Sequence, residues 1–374
     1  FEANFRFGLI RIRENAEAVA LYHGEAQERA QLASRFEQIR ANWWAIMRTT
    51  KQLNVVSTFY AQFAIIFPAL VAAPRYFSGA ITLGVYTQIG DAFGQVQDSL
   101  SWFINSFNKL AEWKASVNRL AGFHVAVEAA RHQERGIAVE RNNVGAILIE
   151  DMQLHIPSGQ PLTHAISANI HVGQRILVEG PSGCGKSTLF RAIAGLWPYG
   201  CGSVEIPSDA KLLFVPQKPY LPIGTLRTAI AYPAAESAYR DRAIAHYLEL
   251  CRLAQLKDRL DESDNWSQRL SPGEQQRLAF VRVLLTRPSI LFLDEATSAL
   301  DVDTEELLYN LILQELPDAA IISIGHREGI ARHHHIRWRF VHEETAEDAE
   351  SASMRYAIRS SRIAIAAAVT TDGV

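Results

Sequence analysis

The chain has 374 residues, enough for two ordinary domains, and 48% hydrophobic with 21% charged residues is an average globular mixture that excludes a disordered tail protein, a collagen-like fibre and a small disulfide scaffold. The formal net charge is −3, from 37 basic and 40 acidic side chains, so there is no global basic field to hold a phosphate backbone and no nucleic-acid partner is expected. Cys184, Cys201 and Cys251 are too few, and odd in number, for a disulfide framework and fit a reducing compartment.

The chain opens at Phe1 without a methionine and without a signal-peptide pattern, so it reads as starting inside a domain. Residues 1–50 are polar, rich in Ala, Glu, Arg and Gln and free of Pro, which favours helix. Gln52 to Pro74 then carries no charge and is bracketed by Lys51 and Arg75. At 1.5 Å per residue this is roughly 35 Å of helix, enough for the ~30 Å hydrocarbon core, and Pro68 inside it is tolerated in a membrane helix. A first span is expected near 52–74 and a second near 80–108. In the second, Val85, Ile89, Phe93, Val96, Leu100, Phe103 and Phe107 recur at steps of three and four, with Gln88, Asp91, Gln95, Asp98 and Asn105 on the opposite arc. Gln88, Asp91, Gln95 and Asp98 would form a polar stripe lining a water-filled path; the bland alternative is a solvated amphipathic helix.

Residues 111–125 regain charge and leave the membrane, and 126–145 read as a polar linker. From Ala146 short β-type runs (AILIE, QRILVE, KLLFV, SILFLDE) alternate with helical stretches, which argues for an α/β domain over 146–340 with a mainly parallel sheet. The tail, 341–374, carries the acidic run HEETAEDAE and reads as solvated or frayed.

Gly180, Pro181, Ser182, Gly183, Cys184, Gly185, Lys186, Ser187 and Thr188 fit G-x-x-x-x-G-K-[ST] between an apolar strand and a helix, the context of a P-loop. The glycines let backbone N–H groups curl round a β-phosphate, Lys186 carries the charge for the β- and γ-phosphates, and Ser187 is a ligand for Mg²⁺. Ile290 to Leu293 leads into Asp294 and Glu295. A buried strand ending in two carboxylates puts them at the ligand-binding edge of a parallel sheet, Asp294 for Mg²⁺ and Glu295 to polarise an attacking water. A triple histidine, His333 to His335, suggests a metal, but consecutive residues do not share a face and nothing nearby completes a site.

With these residues assembled, the chain resembles the nucleotide-binding domain of ATP-binding cassette (ABC) transporters, a P-loop NTPase with a helical subdomain. LSPGEQQRLAF, from Leu270 to Phe280, looks like the ABC signature, with Pro272 and Glu274 in place of the usual Gly and Gln beside Ser271 and Gly273. The resemblance implies that this helix start contacts the γ-phosphate of ATP held by an opposite subunit. It also implies a Q-loop residue, Gln217, reaching Mg²⁺ and the attacking water; a D-loop, Ser298, Ala299, Leu300 and Asp301; and a switch histidine, His326. Catalysis would fall to Glu295, His326, Gln217 and Lys186, with Ser187, Gln217 and Asp294 on Mg²⁺. Many members stack an aromatic on adenine about 25 residues before the P-loop; counting back lands on Ile156, so adenine stacking is in doubt.

FRFGLIRIRENAEAVALYHGE near the start of the chain looks like the cytosolic stretch before the last two membrane helices of SbmA/BacA-like and subfamily D (peroxisomal fatty-acyl) half-transporters, and AGLWPYGCGSV after the P-loop has the same character, so residues 1–125 resemble the end of that helical domain. The resemblance implies about four further membrane helices upstream, an integral membrane protein of a bacterial inner or plasma membrane, an ATPase domain in the cytoplasm, and a second copy or a homologous half-transporter as partner. The transported substrate is not specified by these motifs: peptides, a vitamin and acyl-CoA are all compatible, in either direction. The alternatives are a soluble or membrane-tethered ABC ATPase without transport activity, the soluble one acting on DNA or ribosomes, and a membrane-tethered nucleotide sensor that binds ATP without turnover.

Overall fold

The computed structural model describes residues 1–131, 136–342 and 355–363. The chain divides into two units, Phe1–Glu128 and Ala129–Val374.

The first unit is all helix. α1 (Glu2–Glu14) and α2 (Ala16–Leu21) lead into α3 (Glu25–Phe77), which continues through Pro68 and Pro74 for 53 residues, roughly 80 Å at 1.5 Å per residue. Phe5 of α1 meets Phe36 of α3 with ring centroids 5.9 Å apart. α4 (Leu83–Arg131) returns beside α3, with Phe93 against Phe67 at 5.9 Å and Tyr86 against Tyr76 at 5.8 Å. Val55, Phe59, Phe63, Ile66 and Leu70 of α3 are exposed, an apolar surface that fits lipid or further helices. Among the described residues α3 alone is long and apolar enough to cross a membrane.

The second span, expected at 80–108, does not meet that measure, because Gln88, Asp91, Gln95 and Asp98 interrupt the apolar run. All four are exposed. The charged stretch 111–125 stays within α4, since Ala, Glu, Lys and Leu keep the helix going once it is nucleated. The side chains of Leu100, Phe103, Asn105 and Phe107 lie outside the described residues.

The second unit is built on two sheets. The smaller has the order β1–β5–β2–β3, formed by Ala138–Asn142, Gly200–Pro207, Ala146–Leu154 and Ile166–His171. The larger has the order β12–β11–β4–β10–β9–β6, formed by Tyr356–Arg362, Ile336–His342, Arg175–Glu179, Ala320–Ile324, Ile290–Asp294 and Leu212–Val215. All its pairings are parallel except β12 with β11. The central strands β9 and β10 read ILFLD and AIISI and are buried on both faces apart from Asp294, as expected of parallel strands covered on both sides. Phe292 of β9 stacks on Phe214 at 4.4 Å and takes the edge of Phe190 at 5.0 Å. A helical subdomain follows β6: β7 (Gly224–Thr225), α6 (Leu226–Ala231), α7 (Asp241–Leu250), β8 (Ser263–Asp264), α8 (Trp266–Arg269) and α9 (Pro272–Thr286). β7 pairs with β8, and the buried Trp266 donates its indole N–H to Gly224 O at 3.1 Å.

Two expectations are corrected here. The stretch 126–145 is not simply a linker: α4 runs to Arg131 and β1 occupies 138–142, parallel to β5, while 132–135 lie outside the described residues. Its polar sequence suits an edge strand with most side chains in solvent. Nor is the tail unstructured throughout. Residues 356–362 form β12, antiparallel to β11, with Phe340 opposite Ile358 and His342 opposite Tyr356. The Tyr356 main chain also bonds Leu162 O and His164 N. Residues 343–354, which hold most of the acidic run, and 364–374 lie outside the described residues.

Candidate functional site

The P-loop joins β4 to α5 (Lys186–Ile193). Gly180 (φ +154°), Gly183 (φ +80°) and Gly185 (φ +105°) supply backbone that L side chains rarely adopt. Two of them are also places of close approach: a Cβ on Gly180 would lie 2.7 Å from Phe340 Cβ, and one on Gly185 would lie 2.8 Å from Leu162 Cδ2. The loop is therefore walled by β11 on one side and by the segment after β2 on the other. The Lys186 ammonium donates to Gly180 O and Pro181 O, both at 2.8 Å, so a buried stem carries its charge back across the loop. Cys184 is fully buried, and burial pushes its thiol pKa up, which makes it a packing residue.

At the start of α5 the Ser187 hydroxyl donates to Asp294 Oδ1 at 2.9 Å, joining the P-loop to the end of β9. Burial, with the Glu295 charge beside it, pushes the Asp294 carboxyl up against the opposing effect of the Ser187 hydrogen bond. Glu295 follows with φ +49°, left-handed backbone that a non-glycine residue rarely adopts, and its N–H is tied to Ile324 O at 3.1 Å. Strain of this kind gathers at functional sites. Its effect is to turn the Glu295 carboxylate between two partners: Gln217 Nε2 donates to Oε2 at 3.0 Å, and His326 Nε2 stands 3.3 Å from Oε1.

The LSPGE segment starts α9. Ser271 is the N-cap, Pro272 is the first helical residue, and the capping box is complete: Ser271 Oγ accepts from Glu274 N, while Glu274 Oε2 accepts from Ser271 N at 2.9 Å and from Ser271 Oγ at 2.8 Å. Gln255 Nε2 adds a bond to Glu274 Oε1 at 3.2 Å. Burial acts to raise the Glu274 carboxyl, but the hydrogen bonds from Ser271 and Gln255 outweigh it and hold the pKa below the usual carboxylate value. Ser271 and Pro272 are exposed, so this helix start faces outward. Asp301 caps α10 (Val302–Glu315) by accepting from Thr304 N at 2.8 Å, so the last residue of the D-loop segment has a local helix-capping role.

The structure thus brings together Lys186, Ser187, Asp294, Glu295, Gln217 and His326. Sequence reasoning missed two residues that hold the surrounding loops. Gln276, 3% exposed on α9, donates to Gln217 O and Ser298 Oγ, each at 3.1 Å, and accepts from Ala299 N at 2.9 Å. Arg327, next to His326, donates to Leu300 O at 2.7 Å and to Ser298 O at 3.2 Å. A buried amide two residues beyond the LSPGE run was the available signal for the first. Of the histidine triplet, His334 is buried, bonded to Ser323 Oγ at 2.9 Å and Ile330 O at 2.8 Å and lowered by burial to about 4; His333 stacks on Tyr309. Both serve packing.

Hard oxygen donors on Ser187 and Asp294, with a carboxylate made costly by burial, fit a Mg²⁺ ion that completes its shell with phosphate and water oxygens.

The ABC transporter family matches residues 163–298, and the SbmA/BacA-like family matches residues 2–128. The chain is 39% identical over 345 residues to an ABC transporter ATP-binding protein of Synechocystis, covering 89% of this chain and 52% of that protein. It is 31% identical to the inner membrane ABC transporter ATP-binding protein YddA of Escherichia coli, covering 88% of this chain and 57% of that protein. A solved structure of a bacterial Atm1-family ABC exporter with ATP bound superposes with a TM-score of 0.73 at 22% identity, over 89% of this chain and 61% of that one, which shows the shared fold. The chain spans about half the length of the relatives it matches. These matches make residues 163–298 similar to the ABC transporter family and residues 2–128 similar to the SbmA/BacA-like family.

Proposed function

We propose that the chain is the ATP-hydrolysing end of a half-transporter that works as a dimer in a cell membrane. The observation that carries this reading is the Glu295 carboxylate, held between Gln217 and His326 and next to the Ser187–Asp294 pair. In this reading the P-loop amides and Lys186 bind the β- and γ-phosphates of ATP, and Ser187 and Asp294 hold Mg²⁺, which would neutralise charge developing on the phosphate oxygens. Glu295 accepts a proton from the attacking water, Gln217 orients that water, and His326 contacts the γ-phosphate. Ser271 and Gly273 of the partner subunit close the site with a helix N-terminus. Closure of two such domains on ATP would move the linked helices, and hydrolysis would release them.

The domain limits follow the same proposal: a helical membrane part to about residue 128 and an ATPase part from about 137 through β12. The stripe Gln88, Asp91, Gln95 and Asp98 would line the path. The apolar surface of α3 supports a membrane location over a soluble ATPase.

The test is steady-state phosphate release by the full-length protein in lipid. Glu295→Gln should retain ATP binding and lose turnover by about a hundredfold or more, the scale of a general base. Wild-type turnover in that variant would remove Glu295 from this role.

A further inference from the structure

The two sets of contacts made by Gln217 point in different directions. Its side chain reaches Glu295, and its main-chain carbonyl is held by Gln276. The Gln276 amide is almost fully buried and fully used: its NH₂ group donates to Gln217 O and to the Ser298 hydroxyl, and its carbonyl oxygen accepts from Ala299 N. That donor and acceptor pattern fixes the orientation of the amide, since the flipped form would set its oxygen against Gln217 O and its NH₂ group against the Ala299 N–H. Gln276 sits on α9, whose first turn carries Ser271 and Glu274. One side chain therefore ties the signature helix to the Q-loop and to the D-loop, and through Gln217 it reaches the carboxylate that polarises water.

We infer that Gln276 is a positioning residue for hydrolysis, setting Gln217, and through it Glu295, according to where the signature helix and D-loop lie. The inference rests on the proposed function of the site. It links the step in which a partner's nucleotide engages α9 to the step in which Glu295 is aligned. A side-chain network of this kind is worth more than its separate bonds, because loss of one member leaves buried groups unpaired. Its loss should act on alignment and leave the P-loop, which binds the phosphates, as it is.

The test uses ATPase kinetics of the full-length protein in lipid. Gln276→Met keeps the packing volume and removes all three bonds. Gln276→Glu keeps the acceptor for Ala299 N and turns the donors toward Gln217 O and Ser298 Oγ into acceptors. Both should lower kcat by about tenfold or more while KM for ATP stays near wild type, the cost of a misaligned catalytic group, and both should melt lower because buried groups are left unpaired. Gln217→Ala should lower kcat as well, and the double variant Gln276→Met with Gln217→Ala should be no worse than about twofold below the weaker single variant, because both act along one route. Unchanged kcat in both Gln276 variants would overturn the inference. So would a parallel loss of ATP affinity, or fully multiplied losses in the double variant. Glu295→Gln, assayed alongside, separates the two levels: if it hydrolyses ATP normally the proposed function fails, and if it is inactive while the Gln276 variants turn over normally only this inference fails.

Discussion

Asp294→Asn should make the protein more stable and less responsive to Mg²⁺. The Asp294 carboxylate is pushed up by burial, so its charged form costs the folded state free energy that the Ser187 hydroxyl only partly offsets. Asn keeps an oxygen for Ser187 and removes the charge, which should stabilise the fold by about 1 kcal/mol, the low end for a poorly compensated buried polar group. For an ATPase part of this size that is roughly 2–4 °C in melting temperature. The sign with pH follows from an acid whose folded pKa lies above its unfolded value. The cost is absent below the unfolded value of about 3.9, grows as pH rises toward the folded value, and is complete above it. The gain from Asn should therefore be larger at pH 7 than at pH 4. Mg²⁺ with ATP at a hundred times its Kd should stabilise wild type by about 2.7 kcal/mol, and the variant should lose the part that depends on Mg²⁺. Melting curves with and without Mg²⁺, at pH 7 and pH 4, measure both. A variant that melts lower than wild type without Mg²⁺, or that keeps the full Mg²⁺ response, would refute the reasoning.

Ile156 lies in the turn after β2, its N–H bonded to Gln160 O, and offers no ring to a base; ATP should be preferred over GTP only modestly, and Ile156→Tyr should tighten ATP binding by about 1–3 kcal/mol, measured by calorimetry. A native preference above about a hundredfold, or ~2.7 kcal/mol, would contradict this. On a background with Cys184, Cys201 and Cys251 replaced, single cysteines at Gln88, Asp91, Gln95 and Asp98 should react with a membrane-impermeant thiol reagent and change reactivity when ATP is trapped, whereas those at Ile89, Phe93 and Val96 should be protected; equal labelling of the two sets would make α4 an ordinary solvated helix.

Much of the site was legible because its chemistry depends on local spacing. The P-loop needs glycines at φ values that only they tolerate easily, and a strand before and a helix after it, all within one short stretch. Asp294 and Glu295 were legible because four apolar residues announce a buried strand. The roles of Gln276 and Arg327 were not, since their partners lie 22 to 59 residues away for Gln276 and 27 to 29 for Arg327, and polar residues on a helix usually face water. β1 and β12 were missed for a related reason. Edge strands keep few side chains in the core, and both sequences, AVERN and YAIRSSR, carry charges that read as loop. The long α4 was divided at its charged residues because hydropathy marks where lipid would end, and a helix continues regardless of it.

The central claim is that each ATP lies between Lys186 of one subunit and Ser271 of the other. A mixed dimer tests it most directly: both subunits carry Glu295→Gln to trap nucleotide, one also carries Lys186→Ala, and its partner carries Ser271→Arg. If the site is shared across subunits, both lesions fall in the same site and the other site is intact, so the purified mixed dimer should trap one ATP, while each matched dimer traps none. A mixed dimer that traps none would mean that P-loop and signature of the same chain form the site, and would contradict the account.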